Sequence, residues 1–214
     1  MMNAYSELYL DDAMENLGSM VEYAVGECGL EPDEFMNRFI SSGIASRFER
    51  GNPKYVAGMS GIELAEVVLN TTNPAGKWKT VTLQIEEKGR EYWAGWILAY
   101  YQWITGKRFE DIVENGLPLS KIMSMYILHE ADVSKFVESA DAIIERTKKE
   151  KQAPLQKIRK ARGFTQQELS KVSGVSLRMI QLYEQKQNDI SKAQINVVVS
   201  LARALGCDVE DLIG

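Results

Sequence analysis

Few residues in this 214-residue chain have the types and spacing that chemistry needs. The one histidine, His129, stands beside Glu130 and two residues from Asp132. A zinc site takes three or four ligands, and no second histidine or local cysteine is there to complete one. A carboxylate-only metal site is the other option, but a polar residue at a helix end is the simpler expectation. Asp11, Asp12 and Glu15 fall in the first turns of a helix, where acidic groups complement the dipole. Ser41-Ser42-Gly43 and Gly58-Met59-Ser60-Gly61 have no neighbouring base and no phosphate-loop lysine. Cys28 and Cys207 lie far apart in no spaced motif, which fits a reduced, cytoplasmic setting. No catalytic residue, metal site or cofactor is expected, and neither is enzyme activity.

The last third of the chain offers a different chemistry. Pro154 suits the first position of a helix. Leu155, Ile158 and Ala161 give that helix a short apolar face, and Gly163 ends it. Thr165-Gln-Gln-Glu168 is a capping box, in which hydroxyl and carboxylate satisfy each other's free backbone N–H groups. Leu169 and Val172 are expected to point inward. Gly174 sits where a tight turn needs positive φ. Val175 plugs the turn, Ser176 caps the next helix, and Ile180 and Tyr183 face the core. This is the order of two helices packed across a short glycine-containing turn.

The string Phe164-Thr-Gln-Gln-Glu-Leu-Ser-Lys-Val-Ser-Gly-Val-Ser-Leu-Arg-Met-Ile-Gln-Leu-Tyr-Glu184 closely resembles the XRE family, the helix-turn-helix domains of lambda-type phage repressors and Cro proteins. The resemblance covers about residues 154–214. It continues through Ile195, Val198, Leu201, Ala202, Leu205 and Gly206 to Asp208-Val-Glu-Asp-Leu-Ile213, which look like the family's fourth and fifth helices. It implies a five-helix, lambda-repressor-like domain whose partner is double-stranded DNA. Carried over position by position, Gln166 is where the family contacts phosphate, with Thr165 and Gln167 beside it. Ser176, Leu177, Arg178, Gln181 and Leu182 take the start and exposed face of the recognition helix. Arg178 can hold guanine in a bidentate contact, and Gln181 can read an adenine edge or a phosphate. Leu177 and Leu182 depart from the polar residues common there and could touch thymine methyls. Lys186, Gln187 and Asn188 follow the helix and are placed near the DNA backbone. Arg159 and Glu184 match a buried ion pair of the family, a structural role.

Charge divides the chain in the same place. Residues 1–144 carry 12 Lys+Arg against 22 Asp+Glu, whereas residues 145–214 carry 13 against 8. The overall −5 therefore hides a basic C-terminal part that suits phosphate and an acidic part that should avoid it. No run of about 18 apolar residues occurs, so no membrane span is expected. The first ten residues lack the pattern of a secretory signal.

The elements ahead of the motif read as helices at 3.6-residue spacing. One carries Leu8, Met14, Leu17, Val21, Ala24 and Val25. Others cover Pro32 to Ile40 and Ile44 to Phe48. Ser60-Gly-Ile-Glu63 is a capping box for a helix through Leu69, and Asn70 to Lys79 reads as loop. Val81, Leu83 and Ile85 alternate with polar residues; a lone strand has no partner, so extended loop is expected. The helix from Glu91 to Thr105 puts Trp93, Trp96, Ile97, Tyr100, Trp103 and Ile104 on one stripe. Core packing is the better reading of that stripe than a ligand pocket. Phe48 to Val56, with Lys54 and Tyr55, is a partner-binding loop or a plain connection. A last helix from Ala131 to Lys151 has Val133, Phe136, Val137, Ala140, Ile143 and Ile144 on one stripe and a basic end.

The expectation is an all-α protein with an acidic helical domain at 1–145, a basic linker or helix extension at 146–153, and a DNA-binding domain at 154–214. It should be a dimeric transcriptional regulator, a repressor, with a protein partner or small ligand at the N-terminal domain. The Val133–Ile144 stripe or the fourth and fifth helices would form the homodimer. The alternative is an antitoxin that neutralises a toxin and represses its own operon. An enzyme with a DNA-targeting tail is the third reading.

Overall fold

A computed structural model describes residues 3–76 and 88–213. Among the described residues every regular element is helical, and the chain separates into two compact units, Met1–Glu145 and Arg146–Gly214. Val81, Leu83 and Ile85 lie outside the described residues. No described helix is long and apolar enough to cross a membrane.

The first unit is built around α1 (Leu10–Val21), which widens into a π turn over Glu22–Glu27. Then come α2 (Pro32–Ser41), α3 (Ile44–Phe48), α4 (Pro53–Val56), α5 (Gly61–Thr72) and α6 (Arg90–Thr105). α7 (Phe109–Glu114), α8 (Leu119–Ser124), a 3-10 turn at Tyr126–Glu130 and α9 (Val133–Lys151) follow. The Ser60–Glu63 capping box forms, with both reciprocal bonds made. It opens α5, which runs one turn beyond the expected Leu69. Leu8 does not join the first helix; it sits in a 3-10 turn, 81 % exposed.

Two helices approach α1 where only glycine fits. A Cβ built on Gly95 of α6 would lie 2.3 Å from the Leu17 carbonyl oxygen. One built on Gly61 of α5 would lie 2.4 Å from that of Asn16. Both obstacles are backbone atoms held in a helix, so they cannot swing aside.

α6 is buried on most sides, which corrects its expected stripe. Trp93, Ile97 and Trp103 are buried, but so are Tyr92, Ala94, Leu98, Ala99, Tyr101 and Gln102 on other faces. Trp96, Tyr100 and Ile104 form the half-covered flank instead. The reason is that α1 takes the side of α6 that carries Gly95, with the Tyr92 ring against Gly18, and not the side that carries the tryptophan stripe. α9 lays Phe136 edge-on to Trp93 and Tyr101, at 5.8 and 6.0 Å between ring centres. The Tyr101 hydroxyl donates to Asp141 at 2.6 Å, and burial with this acceptor raises the phenol's pKa. The inner line of the α9 stripe, Phe136, Ala140 and Ile144, is thus already covered within the first unit. The Phe48–Val56 segment is no free loop either. Asn52 caps α4, Tyr55 and Val56 are buried, and Arg47 donates to the Tyr55 hydroxyl at 2.7 Å.

A Gly95→Ala change should therefore destabilise the first unit by about 1–3 kcal/mol despite alanine's better helix propensity. Gly26 has nothing within 4 Å of a built Cβ, and Gly26→Ala should be neutral or slightly stabilising. Urea melts of the two variants test this; equal behaviour would show that the α1–α6 contact has slack.

Candidate nucleic-acid interface

The second unit contains α10 (Pro154–Ala161), α11 (Gln166–Ser173), α12 (Leu177–Glu184), α13 (Ile195–Leu205) and α14 (Val209–Ile213), with a 3-10 turn at Ile190–Lys192. Local sequence rules account for both ends of the central turn. Glu168 accepts from the Thr165 backbone N–H at 2.7 Å, and Thr165 Oγ1 accepts from the Glu168 N–H at 3.1 Å. The Thr165 N–H, and next its hydroxyl, hold the exposed Glu168 carboxyl below the usual range. Gly174 adopts φ 72°, the left-handed value that the turn requires. Ser176 then caps α12 by accepting from the Met179 N–H at 3.3 Å. A further lock was not foreseen: the Ser170 hydroxyl donates to the Val175 carbonyl at 2.7 Å, across the turn.

Arg159 and Glu184 form a buried bidentate pair, Nε to Oε1 at 2.6 Å and an Nη to Oε2 at 2.9 Å. Their side chains are 8 % and 1 % exposed. The guanidinium also donates to the Phe164 carbonyl at 2.6 Å, and the Gln166 amide donates to Glu184 at 2.8 Å. One charged cluster thereby ties α10, the loop before α11, α11 itself and the last turn of α12.

This cluster also locates the expected site residues. Gln166 is half-buried, with one N–H of its amide given to Glu184, so the other amide N–H and the carbonyl oxygen are what its side chain has left for other contacts. Thr165 and Gln167 beside it are exposed. On α12, Ser176 and Arg178 are exposed, while Leu177, Gln181 and Leu182 are half-buried. Arg178, Gln181, Leu182 and Gln185 share one face at i, i+3, i+4 and i+7 spacing. Gln185 is exposed, and its place on that face was legible from spacing alone yet went unassigned. Lys186, Gln187 and Asn188 are exposed just beyond.

Lys186 closes α12 at φ 56°, the one non-glycine residue with positive φ among the described residues. Its N–H donates to the Tyr183 carbonyl at 3.1 Å, and the Gln187 N–H donates to the Leu182 carbonyl at 2.9 Å. Those two bonds are a Schellman closure, which usually places glycine where Lys186 stands.

Two expected core positions move outward: Val172 is 61 % exposed, and Ala161 is exposed too. Ile195, at the start of α13, is also exposed. In α11 the inward line runs through Gln166, Leu169 and Ser173, and Val172 lies about 60° to the far side of Leu169.

In the first unit the candidate chemical groups separate. His129 stacks on Tyr126, with ring centres 4.2 Å apart, and bonds its carbonyl at 2.8 Å. Asp132 instead accepts from the Ser134 N–H at 2.8 Å, at the start of α9. Among the described residues no group of three or more His, Cys, Asp or Glu side chains is placed to hold a metal ion.

Removing one partner of the buried pair leaves the other charge stranded. Arg159→Met should destabilise the second unit by about 3–5 kcal/mol, and Arg159→Met with Glu184→Leu should recover much of that loss. Chemical denaturation decides it. A loss below about 1 kcal/mol for the single change would mean that the pair contributes no more than a surface contact.

No curated protein and no solved structure matches the chain. Residues 155–212 match the family model described as Helix-turn-helix, and the second unit is accordingly a helix-turn-helix domain of the XRE type.

Proposed function

We propose that the chain is a dimeric, sequence-specific repressor of transcription that works in the cytoplasm, with its first unit as an effector or partner-binding unit and no catalytic activity of its own. The observation that carries this is the outward face of α12. It presents the exposed Arg178 with Gln181 and Gln185, on a helix whose two ends are anchored by the Ser176 cap and the Glu184 ion pair.

A major groove admits one helix, and an arginine fork matches the O6 and N7 acceptors of guanine. Gln181 can serve an adenine edge. Lys186, Gln187 and Asn188 stand beyond the helix end, where phosphate contacts fix register without reading sequence. The net positive balance of residues 145–214, against the net negative one of residues 1–144, supports that side as the DNA face. Exposed Ile195 on α13 and part-exposed Ile213 on α14 favour these helices over α9 as the dimer seam.

Purified protein should shift DNA from its own promoter and protect two half-sites about 34 Å apart. Arg178→Ala should cost about 1–3 kcal/mol of discrimination at one base position while circular dichroism stays unchanged. Wild type and variant binding all DNA equally weakly, with no paired footprint, would rule out specific regulation by a dimer. Recovery of one host protein bound to the first unit would favour the toxin-neutralising role over small-ligand sensing.

Lys186→Gly separates strain from recognition. It should raise stability by up to about 1 kcal/mol by relieving a left-handed non-glycine residue. It should also weaken DNA binding uniformly across sequences and reduce the salt slope by about 1. An unchanged slope would remove Lys186 from the phosphate contacts.

A further inference from the structure

The half-covered flank of α6 does not simply face water. Its Trp96, with Tyr92, Trp93 and Ile97, the 3-10 turn at Tyr126–Glu130 and the first turn of α9, lines a cavity of about 320 Å³. That lies at the lower end of the range of small-ligand pockets, about 300–1,000 Å³. Its walls are aromatic: Trp93, Trp96, Tyr92, Tyr126 and Phe136 all line it. Three of these rings hold one another in place. Trp93 meets Tyr126 edge-on at 5.7 Å and Phe136 edge-on at 5.8 Å.

Two basic side chains complete the lining, Lys88 and His129, and none of the described lining residues is a carboxylate. The Lys88 ammonium donates to the Tyr92 hydroxyl at 2.8 Å, which uses one of its three N–H groups. Among the described residues, Glu15 and Glu22 are acidic groups close enough to act on Lys88. The His129 ring has Nδ1 bonded to the Tyr126 carbonyl, leaving Nε2 with only Glu130 at 3.9 Å. Aromatic walls alone would equally suit an organic cation, which binds over ring faces. The Lys88 ammonium in the lining selects against one.

We infer that this cavity binds a planar, one- or two-ring aromatic acid, its rings between Trp93 and Trp96 and its carboxylate toward the Lys88 ammonium. This rests on reading the first unit as the effector unit and names the ligand class for it. α9 supplies the connection, because Val133 and Phe136 line the cavity while the same helix continues through Lys151, past the boundary with the second unit.

The probe is 1-naphthoate, titrated calorimetrically into the full-length protein. It should bind saturably at a single site. The neutral 1-naphthylmethanol should bind more weakly, and 1-naphthylmethylammonium most weakly of the three. Lys88→Met should weaken naphthoate by roughly tenfold, the value of one hydrogen bond to a charged group, without changing the melting temperature. Trp96→Ala should abolish binding and Trp96→Phe should restore it, with a thermal melt confirming that both remain folded. No saturable heat, equal or tighter binding of the ammonium, or an unaffected Lys88→Met would each overturn the assignment. A gel shift with and without naphthoate separates the two readings. Ligand binding with unchanged DNA affinity defeats the effector role and leaves the site standing, whereas a shifted affinity supports both.

Discussion

A carboxylate almost wholly removed from water organises the second unit. A carboxylate such as Glu184, 1 % exposed, is costly to bury unless charged and polar donors replace the water it has lost. Arg159 meets it twice and Gln166 a third time, and the remaining reach of Arg159 goes to the Phe164 carbonyl. These requirements place α10, the start of α11 and the end of α12 relative to each other more tightly than the small apolar core could. Glu184 is also the last residue of α12. The same bond that stabilises the unit therefore sets the rotation of the helix about its own axis, and so which side chains look outward.

The first unit solves its packing differently, without charge. α1 is flanked by α5 and α6 at distances that exclude any side chain at Gly61 and Gly95. Backbone-to-backbone approach of this kind leaves α6 with one face pressed on α1 and its large aromatics on the flanks. The cavity beside Trp93 and Trp96 follows from that geometry. A helix that turned its tryptophans inward would have no glycine contact and no aromatic-lined recess.

What was readable in the sequence was whatever is decided within about four residues. The capping boxes at Ser60–Glu63 and Thr165–Glu168, the turn at Gly174 and the cap at Ser176 all depend on local N–H groups and one φ angle. The Arg159–Glu184 pair, 25 residues apart, was reachable only through the family resemblance. Misplaced features were those that depend on what covers a helix. Periodicity finds a stripe but not its partner, so Val172 and the Trp96 flank were assigned to the wrong side. The amide of Gln166 has a similar origin, since no local rule connects it to Glu184. Gln185 is the opposite case, legible from its spacing and overlooked.

The π turn after α1 has a consequence for the chain's tolerance of length change. Between Glu22 and Glu27 the Cys28 N–H reaches back five residues to Tyr23, and the Leu30 N–H reaches six to Ala24. Such a turn holds one residue more than the α-helical turn it replaces. Losing Glu22 would leave a helix, but Tyr23 and Ala24 would rotate by about 100° against the turns before them. Met14, Leu17 and Val21 would then be out of phase with Tyr23 and Ala24, and both sets are buried. The segment thus works as a phase adjuster, and its residue count is as much a part of the fold as the residue types it contains.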